Sequence, residues 1–258
     1  MLRSLAAAAA LAATPAAASD CFQFARAPVH AQVIPAAFTL EDAQVGLRFI
    51  GHSTWLIVTH EGLRILTDWS GDFSFRIEQV PDVITMNHAH ETHWTANPDP
   101  AIEHVLQGWG SEGKPAEHRL QLGETLIRNV PTDIRSYGGE PFGNSIFVFE
   151  HAGLCIGHLG HLHHEPTEEQ YAALGRLDVV MAPVDGTYTL NPADMVKVLQ
   201  RMRAQVVLPM HAFGRGTLAR FLKDMESDFE IEFLDGNDVV LSAKTLPEQP
   251  TIYVPDRL

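Results

Sequence analysis

The chain has 258 residues, a length that a single α/β domain commonly reaches. Hydrophobic residues make up 45% of the chain and charged residues 19%, which excludes a disordered chain and supplies a buried core. Because 32 acidic residues outnumber 18 lysines and arginines, the net charge is −14, which argues against nucleic acid and anionic membrane surfaces as partners.

The first 18 residues have the organisation of a secretory signal peptide. Arg3 provides a short positive start, residues 4–13 are uncharged and rich in Ala, and residues 16–18 are small enough for cleavage. The stretch is too short and too weakly apolar for a membrane span. We therefore expect a signal peptide over residues 1–18, an N-terminal arm over residues 19–44, and export to the periplasm. A disordered Ala-rich tail is the alternative interpretation.

The expected export bears on the redox state of the two cysteines, Cys21 and Cys155. In an oxidising compartment they could form a disulfide that ties the N-terminal arm to the body of the protein. They could equally be one exposed and one buried free thiol, because a sequence does not supply the Cα separation that a disulfide requires.

Strand patterns dominate the first half of the expected domain, and strands alternate with helices in the second half. Apolar, β-branched runs predict strands at residues 45–50, 54–59, 63–67, 82–86, 120–130, 145–150, 154–158, 178–182, 205–208, 231–233 and 239–241. A capping box that begins at Thr167 predicts one helix, and Asn191-Pro192 predicts a second that runs to about residue 202. A third helix is predicted over residues 217–225. The pattern indicates a mixed α/β domain without internal repeats.

Histidines are concentrated directly after predicted strands. The chain has 14, and seven of them fall within residues 88–93 and 158–164. His88 and His90 are two residues apart, so on an extended segment they point the same way, and a turn can bring His93 beside them. Converging imidazoles suit zinc, with manganese and iron as alternatives where carboxylates join the site. His158 and His163 are expected to serve structure or the rim of the site.

These motifs resemble the metallo-β-lactamase superfamily. Residues 88–93 resemble its His-x-His-x-Asp-His metal motif, and Pro209-Met210-His211 resembles a later metal motif. Residues 49–57, 62–68 and 159–170 are similar to the branch that contains ascorbate-6-phosphate lactonase and N-acyl-phosphatidylethanolamine phospholipase D. The resemblance implies a single-domain, four-layer αββα sandwich over residues 45–258 with one or two zinc ions at one edge.

The resemblance also implies a ligand set, with departures from the family pattern. Thr92 and His161 stand where the family has aspartates, and Asp133 is the closest replacement for a missing histidine. The implied ligands are His88, His90 and Asp133 for one ion, and His93, His161 and His211 for another, with His164 as a further ligand or supporting partner.

Four residues are candidates for supporting the reaction. Thr92 occupies the position of the family's water-orienting aspartate, and His52 is expected to line the site or to serve structure. Asp68 is expected to orient a metal-binding histidine, and Asp185 ends a strand near the site edge. For each aspartate, a simple turn residue is the competing interpretation.

The sequence therefore predicts an exported metal-dependent hydrolase in which metal-bound hydroxide attacks a small ester, lactone or phosphodiester. Serine and cysteine nucleophile motifs and phosphate-binding glycine loops are absent from it. Only Arg135 and Arg215 lie near the predicted site segments, which favours a carbonyl substrate over a phosphate. The alternative function is a non-catalytic, His-rich metal carrier or sensor on the same fold.

Overall fold

The computed structural model describes residues 32–34, 38–71, 75–77, 79–135 and 139–258. The expected signal peptide, most of the expected N-terminal arm and Cys21 lie outside the described residues. Within the described part, no helix is long and apolar enough to cross a membrane.

Two large mixed sheets form the body of the protein. The first sheet has six strands in the spatial order β15 (Asp238–Leu241), β2 (Val45–Gly51), β3 (Thr54–Thr59), β4 (Arg64–Leu66), β6 (Val83–Met86) and β7 (His104–Gln107). The second has eight, in the order β14 (Glu230–Phe233), β16 (Thr251–Val254), β13 (Val206–Met210), β12 (Val179–Pro183), β11 (Leu154–His158), β10 (Glu140–His151), β9 (Thr125–Ile134) and β8 (Arg119–Leu122). A short parallel pair, β1 (Gln32–Ile34) and β5 (Phe75–Ile77), stands apart from them.

The two sheets face each other across a shared apolar core. Leu47 and Trp55 of the six-stranded sheet and Phe147 and Met181 of the eight-stranded sheet are fully buried in one cluster. Burying such large side chains is the main favourable term in folding. The predicted paired-sheet core and the single domain are confirmed.

Three helices cover the outer face of the eight-stranded sheet: α1 (Glu168–Leu174), α2 (Pro192–Met202) and α3 (Arg215–Met225). Thr167 forms the predicted capping box with Gln170, and the Asn191 side chain caps α2 as predicted. On the outer face of the six-stranded sheet, the described residues that provide cover lie in loops, and they include Trp69 and Ile102.

The structure differs from the predicted elements in two details. Residues 120–130 form two strands, β8 and β9, because Gly123 adopts a positive φ of 53° and turns the chain between them. The short strands β1, β5, β7 and β16 were also not predicted. Neither difference affects the sheet edge at which the predicted site residues lie together.

Candidate metal centre

Strand ends from both sheets gather the histidines at one edge of the sandwich. Asp68 follows β4, the 88–93 segment follows β6, and His161 follows β11. Asp185 and His211 follow the neighbouring parallel strands β12 and β13. Because the carboxyl ends of parallel strands meet at one edge, side chains from distant parts of the chain become neighbours there.

Three imidazoles form the tightest cluster, here called the inner group: His52, His93 and His211. One ring nitrogen from each lies within 4.8 Å of the other two. The ring centroids are 4.3 Å apart for His52 and His211, 5.1 Å for His52 and His93, and 5.2 Å for His93 and His211. The Nε2 atoms of His52 and His93 are buried and have no hydrogen-bond partner among the described residues. Buried polar atoms without partners are costly, so their presence points to a ligand.

Two buried carboxylates support the inner group from behind. Asp68 Oδ2 lies 2.5 Å from His93 Nδ1, and Asp185 Oδ1 lies 2.8 Å from His211 Nδ1. Since a carboxylate accepts, each Nδ1 carries the proton and each Nε2 keeps a lone pair. This carboxylate–histidine arrangement is the usual support of metal-binding imidazoles. Asp68 thus lies where it can orient a histidine, as the sequence suggested, and Asp185, which was expected only near the site edge, lies behind His211 in the same way.

Burial controls the charge of these groups. It lowers the pKa of His93 well below its ordinary value, and with the neighbouring His211 and His93 it lowers the pKa of His52 to about 4. Burial raises the pKa of Asp68. Burial would also raise the pKa of Asp185, but hydrogen bonds led by those of His211 and Thr189 hold it well below its usual range. The histidines of the inner group whose pKa is lowered are therefore neutral near pH 7, with lone pairs available.

The backbone at this edge is strained. His52, Asp68 and His211 have φ values of 51°, 50° and 55°, in the left-handed region that side chains with a Cβ avoid. The His211 amide also donates to the His52 carbonyl oxygen at 2.8 Å, which ties the two segments together. Such backbone costs about 1–3 kcal/mol per residue and concentrates at functional sites.

A second set of imidazoles, the outer group, lies beside the first: His88, His90 and His161. Their ring centroids are 5.3–6.3 Å apart, and His161 lies 4.7 Å from His93 of the inner group. His88 Nδ1 is 2.7 Å from the Gly143 carbonyl oxygen, so it donates there and leaves its Nε2 as a lone pair. The exposed His90 ring bonds through Nδ1 to Thr92 Oγ1 at 3.0 Å, which places Thr92 at the rim.

Two predicted ligands do not join either group. Asp133 is exposed and its Oδ1 accepts the Phe142 amide proton at 2.9 Å, because alternation along β9 turns it away from its buried neighbour Thr132. The expected placement of Asp133 beside His88 and His90 is therefore corrected. His164 is also exposed and contacts only the rim, with its ring 6.5 Å from that of His163.

An open cavity of about 890 Å³ leads to the cluster. Its described lining residues are His52, His90, Thr92, Arg135, His161, His163, Thr187, Tyr188, His211 and Phe213. Tyr188 and Phe213 are 62% and 51% exposed and pack edge to face at 5.4 Å, forming an aromatic wall at the mouth. This volume suits a small-molecule ligand.

His52, His158 and His163 have more specific positions in the structure than the sequence indicated. His52 belongs to the inner group, and His163 lies in the cavity wall with its ring 4.8 Å from that of His161. His158 is buried beneath the site, where its Nε2 donates to the Ser53 carbonyl oxygen at 2.8 Å. The two-residue spacing of His161 and His163 was the available signal for His163, and the resemblance of residues 49–57 to the family was the signal for His52.

The part of the chain that contains both groups of histidines is similar to known proteins. Residues 46–211 match the family model for the beta-lactamase superfamily domain. A UPF0173 protein of Pyrococcus abyssi is 25% identical over 194 residues, which cover 68% of this chain and 88% of the relative. A UPF0173 metal-dependent hydrolase of Nanoarchaeum equitans is 23% identical over 185 residues, which cover 64% of this chain and 82% of the relative.

A solved structure from Thermotoga maritima, assigned to the metallo-beta-lactamase superfamily, shares the fold. Its TM-score to this chain is 0.59 at 26% sequence identity, and the match covers 82% of this chain and 98% of that one. All residues of the inner and outer groups fall within the matched family region.

Proposed function

The chain is a metal-dependent hydrolase that belongs to the metallo-β-lactamase superfamily, and we propose that its metal is held by His52, His93 and His211. Two observations carry this proposal: one ring nitrogen from each of the three histidines lies within 4.8 Å of the other two, and the buried Nε2 atoms of His52 and His93 have no partner among the described residues. Carboxylates accept the Nδ1 protons of His93 and His211, which leaves the Nε2 lone pair of each ring available to a metal.

The donor set fits one zinc ion. Three neutral imidazoles with an open fourth position are the ligands of several catalytic zinc sites. We propose a single ion because Asp133 is turned away and the outer group includes no carboxylate. Bound there, zinc would act as a Lewis acid on a carbonyl oxygen and lower the pKa of water to about 7.

The protein's own residues then orient the reactants and move protons. Asp68 and Asp185 hold the rings of His93 and His211 in place and keep their Nδ1 protons. His88 has a lone pair on Nε2, since its Nδ1 donates to Gly143, and we propose that this nitrogen accepts a proton from the attacking water. The substrate enters past Tyr188 and Phe213 at the mouth of the cavity.

We propose that the substrate is a small ester or lactone. The mouth is aromatic, and Arg135 is the single lysine or arginine among the described lining residues of the cavity. Its guanidinium donates to the Thr189 carbonyl oxygen at 3.3 Å, and Arg215 lines a different cavity beside α3. A phosphodiester would be expected to meet several guanidinium or ammonium groups.

Hydrolysis by the zinc-loaded protein tests this proposal. We expect turnover of members of a lactone and ester panel, and none on phosphodiesters. His93→Ala should abolish that turnover, while His104→Ala, a matched change on the edge strand β7, should not. Turnover confined to phosphodiesters would overturn the substrate class. Tight metal binding without turnover on any panel member would favour the carrier or sensor function instead.

We also propose that the protein is exported to the periplasm. The support is the order of features in residues 1–18, with a positive start, an uncharged stretch and small residues before the expected cleavage. N-terminal sequencing of the protein recovered from a periplasmic fraction tests it. A mature chain that begins near residue 19 is expected, and an intact N-terminus in a cytoplasmic fraction would contradict it.

A further inference from the structure

A relay of two hydrogen bonds connects the main chain to His161. The Arg135 backbone amide donates to His163 Nδ1 at 2.8 Å. On the other side of the same ring, His163 Nε2 lies 2.8 Å from His161 Nδ1. Both imidazoles are buried in the cavity wall.

The amide at the start of the relay determines the position of every proton in it. A backbone N–H can only donate, so His163 Nδ1 must accept and carries no proton. The proton of His163 then sits on Nε2 and is donated to His161 Nδ1. Because His161 Nδ1 accepts, the single proton of the neutral His161 ring lies on its Nε2.

We propose that His161 is a catalytic hydrogen-bond donor to the substrate's carbonyl oxygen, not a metal ligand, and that His163 is the residue that positions its proton. This inference rests on the proposed hydrolysis of a carbonyl substrate. It reassigns a residue that the sequence suggested as a ligand, since a protonated nitrogen has no lone pair to offer a metal.

The surroundings of His161 fit a donor to a ligand. Its ring lies 4.7 Å from that of His93 and 5.1 Å from that of His211, at the border between the two groups. Within the described part of the chain, no protein acceptor takes a hydrogen bond from its Nε2. The proton is therefore free for a molecule in the cavity beside the proposed zinc position.

The main chain around His161 is held firmly. Its amide donates to Asn144 Oδ1 at 2.8 Å, and Asn144 Nδ2 donates to Thr132 Oγ1 at the same distance. The preceding Gly160 has a φ of 59°, and a Cβ there would lie only 2.5 Å from Asn144 Oδ1. Glycine thus permits the close approach that fixes this loop. A preorganised donor of this kind stabilises developing charge without reorganisation.

The proposed step is hydrolysis of a carbon–oxygen bond. The water oxygen forms a bond to the carbonyl carbon, one water proton passes to His88 Nε2, and the carbonyl oxygen becomes negative. The negative oxygen then re-forms the carbonyl double bond as the bond to the alcohol oxygen breaks. The electron pair of the broken bond stays on the alcohol oxygen, and the proton from His88 neutralises it. His161 keeps its proton throughout and donates a hydrogen bond to the carbonyl oxygen as negative charge grows there.

Nitrogen-15 NMR of the zinc-loaded protein tests the proton positions without any substrate. We expect the His161 side chain to carry its proton on Nε2, and His163 to do the same. A His161 ring with the proton on Nδ1 and zinc on Nε2 would overturn the proposal. This outcome is independent of whether the hydrolysis panel contains the right substrate, so it separates this inference from the proposed function.

Variants test the consequence for turnover. His161→Leu should keep its zinc and lose roughly 10²–10³-fold in kcat, the usual effect of removing one such donor. Loss of zinc in step with activity would instead make His161 a ligand. His163→Gln should restore most of the activity lost in His163→Leu, because an amide can accept from Arg135 and donate to His161 at once. If both His163 variants lose the same activity while His161 keeps its proton on Nε2 in both, His163 does not position that proton.

Discussion

The inner and outer groups contain the same side chain but differ in what stands behind it. In the inner group, carboxylates accept from the Nδ1 atoms of His93 and His211, so lone pairs face the cavity. In the outer group, the Arg135 backbone amide donates to His163, and His163 in turn donates to Nδ1 of His161. The proton of His161 therefore lies on its Nε2 and faces the cavity. The hydrogen-bond partner of each ring, more than the position of the histidine in a motif, therefore determines what the ring can do chemically.

Removing a ring of the inner group should have the largest effect. His93→Ala removes one of three proposed ligands, so zinc affinity should fall by more than the 10–100-fold that loss of a supporting partner costs. Chelator competition measures the affinity. A chelator should also lower the melting temperature of the wild type but not of His93→Ala, because a bound ligand stabilises only the chain that holds it. Unchanged zinc affinity in His93→Ala would contradict the proposal that the inner group, and not the outer group, holds the zinc.

Neutralising the carboxylates behind the inner group should have a smaller effect. Asp68→Asn and Asp185→Asn should each weaken zinc binding about 10–100-fold, because an amide group facing Nδ1 favours the wrong proton position on the ring. Asn tolerates the left-handed backbone of Asp68, which limits damage to folding. Asp178→Asn is the matched control, since Asp178 is a buried carboxylate that accepts the Cys155 amide away from the site. If all three variants lose zinc equally, the supporting role is not specific.

The metal-free protein should lose stability as the pH falls from about 6.5 to about 4. The pKa values of His52 and His163 are lowered from 6.5 to about 4 in the folded state, so the unfolded chain binds more protons within this window. The free energy of unfolding therefore rises with pH across this window, and the contribution of these two histidines reaches its full value above the window. Melting temperatures of chelator-treated protein measure this, and His163→Gln should flatten the dependence. A melting temperature that stays constant between pH 7 and pH 5 would contradict it.

The aromatic wall should have the smallest effect of the four. Phe213 and Tyr188 are exposed at the mouth and contact the substrate but not the reacting atoms in the proposed arrangement. Phe213→Ala should raise KM by about 10-fold or less, a cost typical of one lost aromatic contact, and leave kcat unchanged. Steady-state kinetics on the best ester or lactone separates the two constants. A large fall in kcat would place Phe213 nearer the chemistry than the structure does.

Much of the fold and part of the site could be predicted because their signals are local. The strand runs, the capping box at Thr167 and the histidines after β6 and β13 follow from residue patterns that act over a few positions. The supporting roles of Asp68 and Asp185 could be suggested from their places at strand ends. Their hydrogen-bond partners, 25 and 26 residues away, come from the structure.

The rest depended on geometry that a sequence does not carry. His52 joins the inner group through a turn with a positive φ of 51° and a main-chain bond to His211, 159 positions along the chain. Asp133 was expected beside the metal, yet the alternation of β9 points it outward. The proton on His161 follows from the amide of Arg135, which no spacing between histidines reveals.

The zinc content of two matched variants shows which group of histidines holds the metal. His52→Ala and His90→Ala each remove one imidazole and keep a Cβ at both positions, including the left-handed position 52. Elemental analysis of chelator-washed protein should find one zinc per chain in the wild type and in His90→Ala, and almost none in His52→Ala. Zinc retained by His52→Ala and lost from His90→Ala would contradict the account, because it would place the metal in the outer group.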